Sequence, residues 1–427
     1  MQAKKITGVI IFLFLLSCGG GNENKSGNND QPALSTAEAL PLWSDGYLDI
    51  HHINTGKGES SFFIFPDGTT MLVDAGVTSA KKPGVTDSKP DDSRSPGQWI
   101  SRYILHFFNG LPEKRLHYMV ASHFHEDHLG VVFSDTQSAK SGTYKLSGLA
   151  EVGELIPFDK IIDRGWPNYD WPVPQEGVAA KNYIQFVKWQ TENQPVVAEQ
   201  FIVGRNNQII LKNCPEKYPD FEIRNIAANG LVWTGSGIGT EKFVPALETL
   251  DKSDYPSENN ISIAFRLTYG KFDYFSGGDI SFRGSEFDKP EDQWKNIEIP
   301  VSKVTGQVDA CKANHHGNYD ANCVAFLRAL RPQVIAIDTW LAQQPDMATL
   351  RRMMSSQTYP GQRDIFVTNV KEETKIVLGD TAEKLKSQQG HIVIRVSPGG
   401  SEFMVYVLDD SNEKFQIKST HGPYLCN

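Results

Sequence analysis

Six consecutive residues, His123-Phe124-His125-Glu126-Asp127-His128, constrain this chain more than any other segment. They hold three imidazoles and two carboxylates, and they follow an apolar run, Tyr118-Met119-Val120-Ala121, that reads as a buried strand. In an extended segment alternate side chains face the same way, so His123 and His125 can hold one metal together. If the chain turns into a helix at Asp127, that carboxylate and His128 can point at a second metal beside the first. Imidazole and carboxylate suit zinc, iron or manganese. A strand that ends in such a cluster places its ligands where the chain leaves the sheet.

Three further strand ends carry residues of the same kind. Segments 48–53, 61–65 and 70–73, joined by Gly-containing turns, form a β-meander that ends at Asp74-Ala75-Gly76. Segments 261–267 and 272–275 read as a strand pair that ends at Ser276-Gly277-Gly278-Asp279. Segment 308–313 reads as a strand that ends at Asn314-His315-His316-Gly317. Helical spacing over 98–108, 147–155, 179–189 and 323–330 alternates with strands at 158–162, 333–337, 364–367, 391–396 and 403–408. No repeat of solenoid length is present. The pattern predicts an α/β (α+β) chain of sheets with interleaved helices. Strand ends far apart in sequence converge if two sheets pack face to face. The loop 166–175, with Trp166, Pro167, Tyr169, Trp171, Pro172 and Pro174, is either a lid over a core or a wall of a substrate pocket.

With 427 residues, 39% of them hydrophobic, the chain can bury a sizeable core. Its formal charge is −9 and no basic tract is present, so charge gives no support to a grip on long nucleic acid. Lys4 and Lys5 precede an apolar run, 6–16, that is too short to span a membrane as a mature helix. The run ends at Leu15-Leu16-Ser17-Cys18, which resembles a bacterial lipobox. Residues 1–17 then form a signal peptide, and a lipidated Cys18 contacts the membrane. The Gly-, Asn- and Ser-rich stretch 18–45 reads as a flexible tether, and 46–427 as one folded domain with insertions around 164–255. The expected location is the cell envelope: outer membrane, periplasm or cell surface. Cys214, Cys311, Cys323 and Cys426 remain, none in a C-x-x-C pair, so a thiolate zinc site is not expected. An exported chain could bridge Cys311 and Cys323.

Taken in order over residues 47–400, these motifs resemble the metallo-β-lactamase superfamily. Within it they are most similar to the branch that includes the soluble hydrolase domain of bacterial competence (DNA-uptake) proteins. The matching elements are the hairpin with Gly56-Lys57-Gly58, Leu72-Val73-Asp74-Ala75-Gly76, the 123–128 cluster, Asn259-Asn260-Ile261-Ser262 with Phe275-Ser276-Gly277-Gly278-Asp279, and Asn314-His315-His316-Gly317. The resemblance implies a four-layer αβ/βα sandwich of metallo-β-lactamase type with its site at one edge of the sheets. It implies two divalent ions, zinc or else manganese: one held by His123 and His125, the other by Asp127, His128 and one of His315 and His316, with His316 favoured over His315, and Asp279 bridging. His315 would contact substrate or leaving group, and Asp74 would orient ligands by hydrogen bonds. No histidine lies between His128 and His315, so the family's third histidine for the first metal is missing. Asp163, at a strand end, is the substitute by position; an ordinary aspartate turn is the alternative. Gln344 stands before Pro345 where the competence branch tends to carry a histidine, and an amide cannot serve as an acid.

The implied reaction is metal-assisted hydrolysis of an ester, first of all a phosphodiester, in a small-molecule or polymer substrate. Asp279 or Asp127 would hold the nucleophile and His315 would protonate the leaving oxygen. One rival is hydrolysis of a lactone, β-lactam or thioester on the same fold. Another is a lipid-anchored binding protein that keeps the fold and holds a glycan or wall polymer with its Trp/Pro loop.

Overall fold

The computed structural model describes residues 38–79, 81–282 and 290–426; the proposed signal segment and Cys18 lie outside them. In chain order the strands of the first half are β1 (Leu48–His52), β2 (Ser61–Ile64), β3 (Thr70–Val73), β4 (Leu116–Val120), β5 (Phe158–Asp163) and β6 (Val197–Gln200). The next six are β7 (Phe221–Ala228), β8 (Leu231–Trp233), β9 (Thr240–Lys242), β10 (Ala264–Tyr269), β11 (Phe272–Ser276) and β12 (Ala310–Lys312). The last five are β13 (Val334–Ile337), β14 (Asp364–Val367), β15 (His391–Val396), β16 (Glu402–Leu408) and β17 (Ile417–Leu425). They form a nine-stranded sheet, β17-β16-β15-β1-β2-β3-β4-β5-β6, and an eight-stranded one, β14-β13-β12-β11-β10-β7-β8-β9.

Strand β1 explains why the sheets stack. Every one of its residues is buried, because both faces of its sheet are covered. Leu48 and Ile50 join Phe63, Tyr118 and Ile394 against Phe265, Tyr274 and Val334 of the other sheet. On its opposite face Asp49 takes a bidentate pair with Arg395, and His51 bonds the Tyr103 hydroxyl of an outer helix. The helices Pro96–Phe107, Gly148–Leu155 and Val178–Asn193 bury Ile104, Val152 and Phe186 in the core of the first sheet's outer face. The helices Glu298–Thr305, Val324–Leu330 and Met347–Met354 do the same for the second sheet with Val301, Phe326 and Leu350. Helix, sheet, sheet, helix is the four-layer αβ/βα sandwich expected.

Each sheet is mixed. Strands β3 to β6 run parallel, and so do β11 to β14. Parallel strands carry their carboxyl ends to one edge, the usual position of a site in such sheets. Asp74 follows β3, His123 follows β4, Asp279 follows β11, His316 follows β12 and Asp338 follows β13.

Two expectations need correction. The tether does not reach residue 45. Ala39 bridges to Gln416, Leu40 and Trp43 are buried in the core, and the Trp43 indole donates to the Tyr47 carbonyl at 2.6 Å. An apolar pair within a polar stretch was enough to dock it. Secondly, residues 259–261 form a single 3₁₀ turn, and the strand begins only at Ala264. Cys311 and Cys323 are buried free thiols.

If the segment before residue 46 is part of the core, Trp43→Ala should lower unfolding free energy by about 3–5 kcal/mol, the cost of emptying a buried Trp site. Denaturant unfolding of a chain starting at residue 38 measures this. A change near zero would return 38–45 to the tether.

Candidate metal centre

The site is assembled by three backbone approaches that only small residues allow. The Glu59 N–H donates to the Asp127 carbonyl at 2.9 Å, the Gly76 N–H donates to the Glu59 carbonyl at 2.8 Å, and the Ala75 N–H donates to the His128 carbonyl at 2.9 Å. A Cβ on Gly76 would collide with the Asp127 carbonyl oxygen, and one on Gly58 would lie 2.7 Å from the same atom. Gly58 and Gly76 thus let two loops close on the turn that carries Asp127 and His128.

Asp74 sits at φ +60° at the end of β3 and is fully buried. Its carboxylate accepts from the Ser122 N–H at 2.8 Å, the Ser122 hydroxyl at 2.6 Å and His128 Nδ1 at 2.7 Å. That leaves His128 Nε2 for the seam between the sheets. His316 is turned the same way: Nδ1 donates to the Asp338 carbonyl at 2.9 Å and Nε2 faces inward. Between them stands Asp279. Its Oδ2 lies 3.2 Å from His128 Nε2, 3.3 Å from His316 Nε2, 3.8 Å from His123 Nε2 and 4.0 Å from His315 Nε2. Asp127 Oδ2 is 3.0 Å from His316 Nε2 and 3.8 Å from His128 Nε2. His123 Nε2 and His125 Nδ1 are 3.1 Å apart, with His123 buried and His125 at the surface.

These spacings fit a divalent cation. Two atoms each about 2.1 Å from a tetrahedral zinc are roughly 3.4 Å apart, which is the range of the nitrogen and oxygen separations above. Asp279 Oδ1 is buried with no hydrogen-bond partner among the described residues. Glu59, His128, Asp279 and His316 each offer a ligand atom within 4.8 Å of the others. The electrostatics agree. Burial disfavours charge on His316, but Asp279 and Asp127 outweigh it and raise the imidazole to about 10. Burial is likewise overcome at His128, held well above its usual range by Asp279, Asp74 and Asp127. Asp279, despite its burial, is held well below the usual carboxylate range by His316 and His128. His123, buried and beside His128, is pushed well below its ordinary value and stays a neutral donor. Clustered carboxylates draw positive charge into this seam.

His315 lies at the rim. Its Nδ1 is 2.8 Å from Asp320 Oδ1 and its Nε2 is 3.1 Å from the Asn259 amide. Both histidines of the pair have left-handed backbones, φ +47° for His315 and +54° for His316. Their separate environments come from this turn.

Asp163 is not among the converging groups. Its Oδ1 accepts from the N–H groups of Gly165 and Trp166 at 2.7 Å, and its Oδ2 from the hydroxyls of Tyr169 and Tyr183 at 2.8 and 2.9 Å. All its acceptor directions are spent on shaping the turn after β5, so the first metal gains no third ligand there. The next residue, Arg164, does serve the site. It is buried, lies over the Phe124 ring and pairs with Glu258, which accepts the Phe124 N–H at 2.8 Å. That clamp fixes the chain between His123 and His125. Arg164 also donates to the Trp171 carbonyl at 3.1 Å, so the Pro/aromatic loop is tied to the same wall, while its Tyr169 is buried in the core. Glu258, Glu59 and Lys312 were not read as site residues. A lysine inside the apolar strand 308–313 was the available signal for the last.

No family model matches the sequence, and no curated protein matches it. Among solved structures, CmlA, a diiron β-hydroxylase from Streptomyces venezuelae, aligns over 83% of this chain and 55% of its own at 11% identity, TM-score 0.38. The chain therefore spans about half the length of that protein. A protein described as a metal-dependent hydrolase from Parabacteroides distasonis aligns over 78% of this chain and 99% of its own at 12% identity, TM-score 0.36. A diphosphatase of the PhnP family aligns over 82% and 98% at 8% identity, TM-score 0.31. All are distant likenesses.

Asp163→Asn offers its amide nitrogen to groups that already donate, so it should cost about 1–3 kcal/mol of stability and leave metal content unchanged. Elemental analysis beside thermal unfolding separates the two effects. Loss of a metal equivalent at unchanged stability would restore Asp163 as a ligand.

Proposed function

We propose that this chain is a metal-dependent hydrolase of the metallo-β-lactamase superfamily that cleaves a phosphodiester or related ester outside the cytoplasm. The observation that carries the reading is the meeting of Asp127 and His128 from one sheet with His316 and Asp279 from the other, at 3.0 and 3.2 Å. His123 and His125 would supply the donors of a first cation, Asp127, His128 and His316 those of a second, with Asp279 beside both sets. Divalent cations there, zinc or manganese, supply Lewis acidity toward the scissile group and make water a nucleophile near neutral pH.

The protein's own groups do the rest. Asp74 and the Asp338 carbonyl each hold one imidazole nitrogen of His128 and His316, which fixes the tautomer that faces the seam. In this reading His315 gives a proton to the leaving oxygen. Asp320 Oδ1 meets its Nδ1 at 2.8 Å, and the Asn259 amide, which can present either oxygen or nitrogen, lies 3.1 Å from Nε2. Gln344 does not compete for this role, because its Oε1 accepts the N–H groups of Trp340 and Leu341. In the same proposal the leader delivers the chain to the cell envelope, where a lipidated Cys18 anchors it.

Zinc- or manganese-loaded protein should hydrolyse a chromogenic phosphodiester in a panel that also holds lactones and β-lactams. His315→Ala should keep its metal and lose kcat by on the order of 10²–10⁴-fold, most for poor leaving groups. Turnover of lactones alone would move the substrate class, and no turnover of any ester by metal-loaded protein would leave a binding protein. The anchor is tested separately: Cys18→Ser should move the protein from the membrane fraction to the soluble one, and unchanged fractionation would remove the lipobox from the account.

A further inference from the structure

Lys312 is the last residue of β12 and is 1% exposed, deep between the sheets. Lysine is almost never fully buried unless paired. An ammonium has three donors and no acceptor, and all three donors of Lys312 are used. They reach Glu59 Oε2 at 2.7 Å, the Gly278 carbonyl at 2.9 Å and the Ala313 carbonyl at 3.2 Å.

The three acceptors belong to the three chain segments that meet at the metal centre. Gly278 immediately precedes Asp279, and Ala313 lies on the turn that leads to His316. Glu59 holds the turn of Asp127 through its backbone N–H. Gly278 itself has no room to adjust: at φ +53°, a Cβ there would meet Ser262 Cβ at 3.0 Å and Ser122 Cβ at 3.2 Å. Glu59 Oε2 lies 3.6 Å from His316 Nδ1, the ring nitrogen that bonds the Asp338 carbonyl, and it is already committed to the ammonium.

We propose that Lys312 is the positioning residue of the metal centre, setting Asp127, Asp279 and His316 in register, with Glu59 as its counter-ion and not as a metal ligand. This rests on the metal-dependent reading above. A core ion pair with no such role would contribute stability alone. A positioning pair also sets the coordination of the cation, and groups behind metal ligands typically change metal affinity about 10–100-fold when removed.

Removing one partner of a buried pair leaves an uncompensated charge, so the informative variant removes both: Glu59→Gln with Lys312→Met. Co²⁺ titration followed by its visible absorption reads affinity and ligand geometry together, and thermal unfolding of the metal-free protein reads stability. The double variant should fold, bind Co²⁺ at least roughly tenfold more weakly and show altered absorption bands. Glu59→Gln alone, with Lys312 still held by two carbonyls and the new amide oxygen, should keep the wild-type number of Co²⁺ equivalents. Lys312→Gln provides the same readout if the double variant does not fold. Wild-type affinity and spectrum in the charge-free variant would overturn the proposal, and so would loss of one equivalent in Glu59→Gln, which would make Glu59 a ligand. Wild-type protein that takes up no Co²⁺ would overturn the metal reading itself, and this inference with it.

Discussion

Negative charge concentrated in the seam between two sheets is the constraint on which the rest of this structure depends. Glu59, Asp74, Asp279 and Asp338 are buried, Asp127 is only 15% exposed, and the Lys312 ammonium is set among them. Carboxylates removed from water are costly unless paired or bound to metal. Their neighbours show the pull, since His128 and His316 are both driven toward their charged forms. A fold that keeps such a cluster at the carboxyl ends of its parallel strands keeps it for cations.

The scaffold makes that cluster rigid in two ways. Glycines at 58 and 76 let the loops after the first strands press on the Asp127 turn, where any side chain would collide with its carbonyl. Behind the ligand-type residues stands a second row of buried partners. Asp74 holds His128, the Asp338 carbonyl holds His316, and Arg164 with Glu258 clamps the backbone between His123 and His125. Glu298 extends the same device to the double-histidine turn. Its carboxylate accepts from the Asn314 amide and from the N–H groups of Asn322 and Cys323 at 2.6–2.8 Å. Two consecutive left-handed histidines are an unfavourable backbone, and such strain persists where the surroundings over-determine it.

Much of this was legible from residues alone. The apolar runs of β2 to β4 and β13 to β15 stand out because they are buried on both faces, and the polar residues that end them stand out for the same reason. What stayed hidden has physical causes. In β7 the alternation is broken by Asn225, a buried amide that ties the strand to the Ile202 carbonyl and Gln208. Strand β17 is a largely exposed edge with a proline, so neither period nor composition marks it. Asp163 was attractive by position, but position does not reveal that two tyrosines and two backbone amides already occupy its oxygens. Glu59 belongs to a Gly-containing turn between strands, and nothing local in sequence announces its burial against Lys312 of the other sheet, 253 residues away.

The central claim is that the seam is a metal centre, and anomalous diffraction from crystals of zinc-loaded protein, recorded on both sides of the zinc edge, tests it most directly. The account predicts zinc peaks in contact with His128, Asp279 and His316 and with His123 and His125. Well-ordered crystals with no zinc peak at these residues, or with zinc held only elsewhere on the chain, would contradict it.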